Sequence, residues 1–253
     1  MLVQGKYRVT KCIGEGSFSR VYEAIHDAKG TTVAIKMDLK QNTLATKLMN
    51  HEIKMYMLLK KKNIQNIVPI KSYGKYDDHM FLIMEKLPYT LNDYIQTEND
   101  LKDICNQMYT IIQTLHSHGI MHRDIKPENF MVSTKGKVYL IDLGLSSSNQ
   151  SNMKDVVGSY LYCSFECLRD PYTYSPQCDM VSLFYVIFDL IAPHTLPWNH
   201  VCIHDKSKKK QVLYLLKKYT NYKSYYESVD NPLLQKWVDK YTLYINSSDY
   251  KWS

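Results

Sequence analysis

The sequence predicts an α+β chain, strand-rich at its start and helical afterwards. Three observations carry that expectation. Short apolar runs separated by turns fill Tyr7 to Met37. Apolar residues recur at helical spacing over Leu101, Ile104, Met108, Ile111, Ile112 and Leu115, and again over Leu233, Leu234, Trp237, Val238, Tyr241 and Tyr244. Between these parts a polar loop, His122 to Asn129, is flanked by the apolar runs Gly119-Ile120-Met121 and Phe130-Met131-Val132, an arrangement that presents side chains from a fixed frame.

Taken in order, Tyr7 to Ile13, Val21 to Ile25 and Val33 to Met37 are expected as three antiparallel strands, joined by Gly14-Glu15-Gly16-Ser17-Phe18-Ser19 and by Asp27 to Gly30. Gly14 and Gly16 would let backbone lie close to phosphate oxygens, which a β-carbon would obstruct, although a plain hairpin explains the same residues equally well. A helix follows from Leu44 to Leu59 on Leu48, Ile53, Tyr56, Met57 and Leu59. It contains Glu52, the only acidic residue between Asp38 and Asp77. Ile67 to Tyr73 and Met80 to Glu85 read as further strands, and Val138 to Ile141 as a short buried one that places Asp142. Asp179 starts the apolar helix Met180 to Ile191. After Leu196-Pro197-Trp198 comes an amphipathic helix with Val212, Leu213, Leu215 and Leu216 opposed to Lys208, Lys209, Lys217 and Lys218.

A chain of 253 residues is long enough to bury a substantial core. The formal charge of +7 favours anionic partners only weakly, and the runs Lys60 to Lys62 and Lys208 to Lys210 read as solvated faces, with no specific nucleic-acid signal. The six cysteines form no C-x-x-C pair and are expected as reduced thiols. His194, His200, Cys202 and His204 lack zinc-site spacing. The first seven residues have no apolar signal core, and Met180 to Ala192 is too short to span a bilayer, so an intracellular compartment, cytoplasmic or nuclear, is expected, with no membrane partner. Abundant Lys, Asn, Ile and Tyr suit an A/T-rich genome such as that of a virus or parasite; a viral protein would work in its host cell.

The pattern H-R-D-x-K-x-x-N from His122 to Asn129, followed by Asp142-Leu143-Gly144, resembles the catalytic loop and metal-binding turn of eukaryotic protein kinases. The resemblance extends over nearly the whole chain. It implies a bilobal fold: a small N-lobe, about residues 1–84, with a five-stranded antiparallel sheet and one main helix; a hinge at 85–88; and a mainly helical C-lobe, 89–253, trimmed at its end. It further implies an ATP- and Mg²⁺-dependent serine/threonine kinase acting on Ser/Thr hydroxyls of protein substrates. Asp124 would accept the hydroxyl proton, Lys126 would steady the γ-phosphate, and Asn129 and Asp142 would bind metal. Lys36, in Val33-Ala34-Ile35-Lys36 and held by Glu52, would meet the α- and β-phosphates. Ile13, Gly14, Gly16, Ser17, Val21 and Ala34 would surround the nucleotide, with Met84 bordering the adenine and the backbones of Glu85 and Leu87 binding its edge. The alternative is a pseudokinase-like binding module, against which stand the retained Lys36, Asp124 and Asp142.

Within the family, His51 to Tyr56, Met84 to Leu87, Met121 to Phe130 and Leu196-Pro197-Trp198 are similar to the casein kinase I group, which includes the vaccinia-related kinases. The segment Gly158 to Glu166 matches the peptide-docking region in register, with Leu161 where that group usually has an arginine. Ser146, Ser147, Ser148 and Ser151 offer phosphorylation sites that Arg123 could pair with, and Asp179 would brace the catalytic loop. Glu166 normally pairs with a late arginine. None follows Arg169, so its partner must be a lysine or something else.

Overall fold

The computed structural model describes residues 1–39, 43–148, 152–153, 158–169 and 172–247. Ser151, one of the expected phosphorylation sites, lies outside them. The chain divides into two compact units, Met1–Tyr89 with Met131–Ser146, and Thr90–Phe130 with Ser147–Ser253. The first boundary falls one residue beyond the expected hinge, and residues 131–146 group with the N-terminal unit.

The first unit is built on an antiparallel sheet of β1 (Leu2–Val3), β2 (Tyr7–Glu15), β3 (Ser19–His26), β4 (Thr32–Asp38), β5 (Ile70–Tyr76) and β6 (His79–Glu85), in the order β1-β2-β3-β4-β6-β5. It has one strand more than expected, because Leu2 and Val3 fold back to pair with Arg8 and Tyr7. Strand β5 starts three residues later than the apolar run suggested. Pro69 has no N–H to give a ladder, and the Val68 N–H is spent on Leu140 O, so pairing begins only at Ile70. Along β4 the side chains alternate between faces. Val33, Ile35 and Met37 join Val3, Tyr7, Ala24, Phe81 and Ile83 in a core on one face, which leaves Ala34 and Lys36 on the other.

Helix α1 (Thr43–Lys61) packs on the sheet through Ala45, Met49, Glu52, Ile53, Tyr56 and Leu59, spaced three and four apart; Met57, expected inside, is exposed. Its entry is latched by Asp38, which accepts from the Thr46 hydroxyl at 2.6 Å and from the Met80 N–H at 2.9 Å. Short strands β7 (Tyr89–Thr90), β8 (Phe130–Val132) and β9 (Val138–Leu140) follow, the last within the first unit.

The second unit is helical: α2 (Leu91–Tyr94), α3 (Glu98–Ser117), α4 (Pro176–Ile191), α5 (Lys206–Tyr219), α6 (Tyr222–Tyr225) and α7 (Pro232–Ile245), with a short β10 (Asn152–Met153) and β11 (Tyr172–Thr173) pair. Thr97 and Asp100 form a reciprocal capping box that fixes the start of α3. Asn231 caps α7, with Pro232 in its first turn. Helix α4 is buried nearly all round; its Phe184, Tyr185 and Phe188 meet Trp198, Tyr226, Trp237 and Tyr241 edge-on, and Tyr185 stacks on Tyr222. These rings form an aromatic core within the second unit. Lys217 departs from the expected charged face of α5, being 1% exposed. Cys12 and Cys202 are exposed free thiols; Cys105, Cys163, Cys167 and Cys178 are buried free thiols. No helix of the described residues is long and apolar enough to cross a membrane.

Candidate active site

In the first unit the strand register sets one row of side chains. Gly14 pairs with Val21, Val21 with Lys36 and Lys36 with Leu82, while Ala34 pairs with Met84 in the next row. Cross-strand partners share a face, so Val21, Ala34, Lys36 and Met84 all lie opposite the apolar core. A β-carbon at Gly14 would meet only Val21, at 3.6 Å, and one at Gly16 only Ser19 O, at 3.7 Å. The protein's own packing thus leaves room above both glycines, and any need for their bareness comes from a ligand. Ser17 lies at the exposed tip of this turn and Ile13 on its exposed margin.

Lys36 Nζ is 2.8 Å from Glu52 Oε2 and 2.9 Å from Asp142 Oδ1. Burial opposes the lysine's charge, but the two carboxylates together outweigh it and hold its pKa above the ordinary value. Burial, helped by repulsion from Asp142, lifts the Glu52 carboxyl against the pull of Lys36. Asp142 sits at φ 59° with its side chain 39% exposed, and its Oδ1 accepts the Gly144 N–H at 3.2 Å. A β-carbon at Gly144 would stand 3.2 Å from Asp142 Oδ1 and 3.7 Å from Glu52 Oε2, which explains the glycine. His51, next to Glu52 on α1, bonds through Nε2 to Ser146 O at 2.7 Å and so ties the helix to the segment after Asp142. Met84 and Leu87 are buried and Glu85 is exposed. The Glu85 N–H is spent on Pro69 O at 3.0 Å, so of its two backbone groups only the carbonyl remains for an adenine edge.

The second unit carries the polar loop from His122 to Asn129. Asp124 is buried, with Oδ2 2.7 Å from Lys126 Nζ. Asn129 gives its amide N–H groups to Asp124 O at 2.7 Å and to Oδ2 at 3.1 Å, which reserves its oxygen for another partner. Asp124 Oδ1 is buried with no hydrogen-bond partner among the described residues. Gly158, at φ 88°, lies against it: a β-carbon there would be 2.8 Å from Arg123 O and 3.1 Å from Asp124 Oδ1.

The loop is braced from α4. Asp179 accepts from the backbone N–H groups of His122 at 2.7 Å and Arg123 at 2.9 Å, from the Tyr174 hydroxyl at 2.7 Å and from His116 Nε2 at 3.0 Å. Burial would raise the Asp179 pKa, but the bond and charge of His116, with the other donors, hold it below the usual carboxylate value. The same bonds hold Arg123 at φ 71°.

Ile13, Gly14, Gly16, Ser17, Val21, Ala34, Lys36, Glu52, Met84, Glu85, Leu87 and Asp142 thus all belong to the first unit, and Asp124, Lys126 and Asn129 to the second. The sequence reading missed the parts played by Asp38, His51 and Lys217. An aspartate two residues after Lys36 and a histidine beside Glu52 were visible signals for the first two. Each unit by itself carries groups of the kind a magnesium-bound triphosphate would use: the half-exposed Asp142 carboxylate and the Lys36 cation in the first, the Asn129 amide oxygen and the Lys126 cation in the second.

The family model for the protein kinase domain matches residues 7–241. The chain is 28% identical over 207 residues to a protein of Encephalitozoon cuniculi described as "Probable casein kinase I homolog", covering 76% of this chain and 64% of that protein. It is also 28% identical over 201 residues to the serine/threonine-protein kinase PknH of Mycobacterium bovis and of Mycobacterium tuberculosis, covering 74% of this chain and 33% and 31% of theirs. Less than two thirds of each of these relatives is therefore spanned. A match this long, joined to the Lys36–Glu52 pair and the braced loop, makes the chain a member of the eukaryotic-type protein kinase family, near its casein kinase I group.

Proposed function

We propose that the chain is an active serine/threonine protein kinase that moves the γ-phosphoryl group of ATP to Ser/Thr hydroxyls of proteins. The observation that carries this reading is Asp124: one carboxylate oxygen is held by Lys126 and Asn129, while the other is buried with no donor among the described residues. A buried acceptor left unsatisfied costs about 1–3 kcal/mol, so it is kept for a donor that arrives with the substrate.

In this reading Asp124 Oδ1 orients the substrate hydroxyl and takes its proton as the oxygen bonds to the γ-phosphorus and the bond to the ADP oxygen breaks. Lys126 holds Oδ2 and sets a positive charge beside the transferred group. Lys36 has three N–H groups and gives two to Glu52 and Asp142, which leaves one for a phosphate oxygen. Asp142 and the Asn129 oxygen would be the metal ligands, and bound magnesium would neutralise phosphate charge. Residues 85–88 would serve as the hinge, with the Glu85 carbonyl and the Leu87 backbone on the adenine. Lys126 in the loop and the kinase names of the relatives support serine/threonine over tyrosine acceptors.

The test is transfer of label from ATP to casein in the presence of magnesium, with Asp124→Asn alongside. Label on casein that falls by three orders of magnitude or so in the variant is expected for a lost general base and positioning group. Equal label from both proteins would leave only a binding module of the same fold.

A further inference from the structure

Among the described residues only two lysines and no arginine are buried, Lys36 and Lys217. Lys36 has its carboxylates, but Lys217 has none: its Nζ donates to the carbonyl oxygens of Tyr160 at 2.8 Å, Leu161 at 3.1 Å and Cys163 at 2.6 Å. The faces of Tyr185 and Trp198 complete its surroundings at 5.4 and 4.8 Å. An ammonium has three N–H groups, and each has found an oxygen. Taking such a charge out of water is unfavourable unless hydrogen bonds offset it, so the arrangement is one the fold maintains against a penalty. Burial accordingly pulls the lysine's pKa below its ordinary value, with the Cys163 thiol opposing.

What the ammonium gathers is irregular backbone. The Cys163 N–H closes a turn onto Ser159 O at 2.8 Å, and Trp198 Nε1 gives a second donor to Leu161 O at 2.7 Å. At one end of this turn Gly158 rests on Arg123 and Asp124. Beyond its other end the Phe165 ring meets Tyr214 of α5 at 6.3 Å. Lys217 is therefore the point where the segment leading away from the catalytic aspartate is fastened to α5. Lys217 does not pair with Glu166, where the sequence left a lysine as one candidate partner.

We propose that Lys217 is the positioning residue that shapes residues 159–163 to receive the protein substrate, and so sets which peptides are accepted. The inference rests on the kinase reading above, in which Gly158 to Glu166 is the peptide-docking segment.

Lys217→Met keeps the chain length and removes the charge, and Trp198→Phe removes the second donor while keeping Lys217. Hydrogen exchange at the amides of 159–163, the KM values for peptide and for ATP, and the residue preferences in a peptide library are measured on all three proteins. In Lys217→Met, exchange is expected to quicken about tenfold, the peptide KM to rise about tenfold with altered preference, and the ATP KM to stay within about twofold. Trp198→Phe moves the same readouts in the same direction by less. Unchanged exchange and peptide KM in Lys217→Met overturn the proposal, and so does a parallel rise of both KM values, which marks a structural role only. If Lys217→Met does not fold, an unchanged peptide KM in Trp198→Phe overturns it. Failure of the wild-type chain to phosphorylate any peptide sinks the kinase reading and the substrate half of this one, while the exchange measurement still decides whether Lys217 orders the segment.

Discussion

Asp179→Asn is isosteric, so it removes a charge and an acceptor rather than packing. The wild-type carboxylate is buried and takes hydrogen bonds on both oxygens, His122 N–H and His116 on Oδ2, Arg123 N–H and Tyr174 on Oδ1. An asparagine can turn its single oxygen to one side only. Tyr174 can re-aim its hydroxyl and His116 can change tautomer, but the two backbone N–H groups cannot, so one of them faces an NH₂ group whichever way the amide lies. One orphaned buried donor costs about 1–3 kcal/mol, and the remaining bonds lose their charge assistance, for a total near 3 kcal/mol. For a chain of this size that lowers the melting midpoint by about 6–12 °C. Because Arg123 is held at φ 71° partly by this network, kcat should fall as well, although Asp179 would touch no substrate. The pH dependence has a definite sign. The Asp179 pKa is depressed from 3.8, so its contribution is present above that value and is lost as pH falls through the lower folded value; the gap in midpoint between wild type and variant narrows in acid below about pH 4. A thermal melt of both proteins across pH, with kcat at neutral pH, is the assay. A variant midpoint within 2 °C or so of wild type, with intact kcat, would refute the reasoning.

Lys36→Met should abolish transfer and also destabilise, because it leaves Glu52, 2% exposed, as an unpaired buried carboxylate worth about 3–5 kcal/mol; adding Glu52→Gln should restore the melting midpoint but not the activity. Asp142→Asn, at a half-exposed position, should leave the midpoint nearly unchanged while abolishing transfer. Mg-ATP at about 100 times its dissociation constant should stabilise the wild type by about 2.7 kcal/mol, and calorimetry showing no shift would count against the phosphate site. Gly158→Ala places a β-carbon 2.8 Å from Arg123 O at a positive φ, and should lower both midpoint and kcat; an unaffected variant would mean that the contact yields freely.

Much of this was legible in the residue pattern. Helices α3 and α7 follow apolar spacing opened by a capping threonine or asparagine, and the loop from His122 to Asn129 is marked by its fixed polar intervals. The shift of β5 shows where pattern reading fails: apolar runs register burial, whereas Pro69 and the diversion of Val68 to Leu140 decide where pairing can start. Lys217 shows a second kind of failure. A lysine on an amphipathic helix reads as solvated, and nothing local announces that three distant carbonyls need donors. The Glu85 N–H was spent in the same unannounced way, on a carbonyl sixteen residues earlier. Side-chain chemistry is written in the sequence, but the demands of irregular backbone appear only once the chain is folded.

The placement of the thiols has a practical corollary. Of the six cysteines, the two that solvent reaches are Cys12, on β2, and Cys202, between Trp198 and α5, and they fall in different units. Maleimide dyes should therefore attach to the natural chain at one point on each unit, without mutagenesis, while the inner sulfurs stay unlabelled. Energy transfer between that pair would report, molecule by molecule, whether the distance between the two dyes changes when nucleotide or peptide is added.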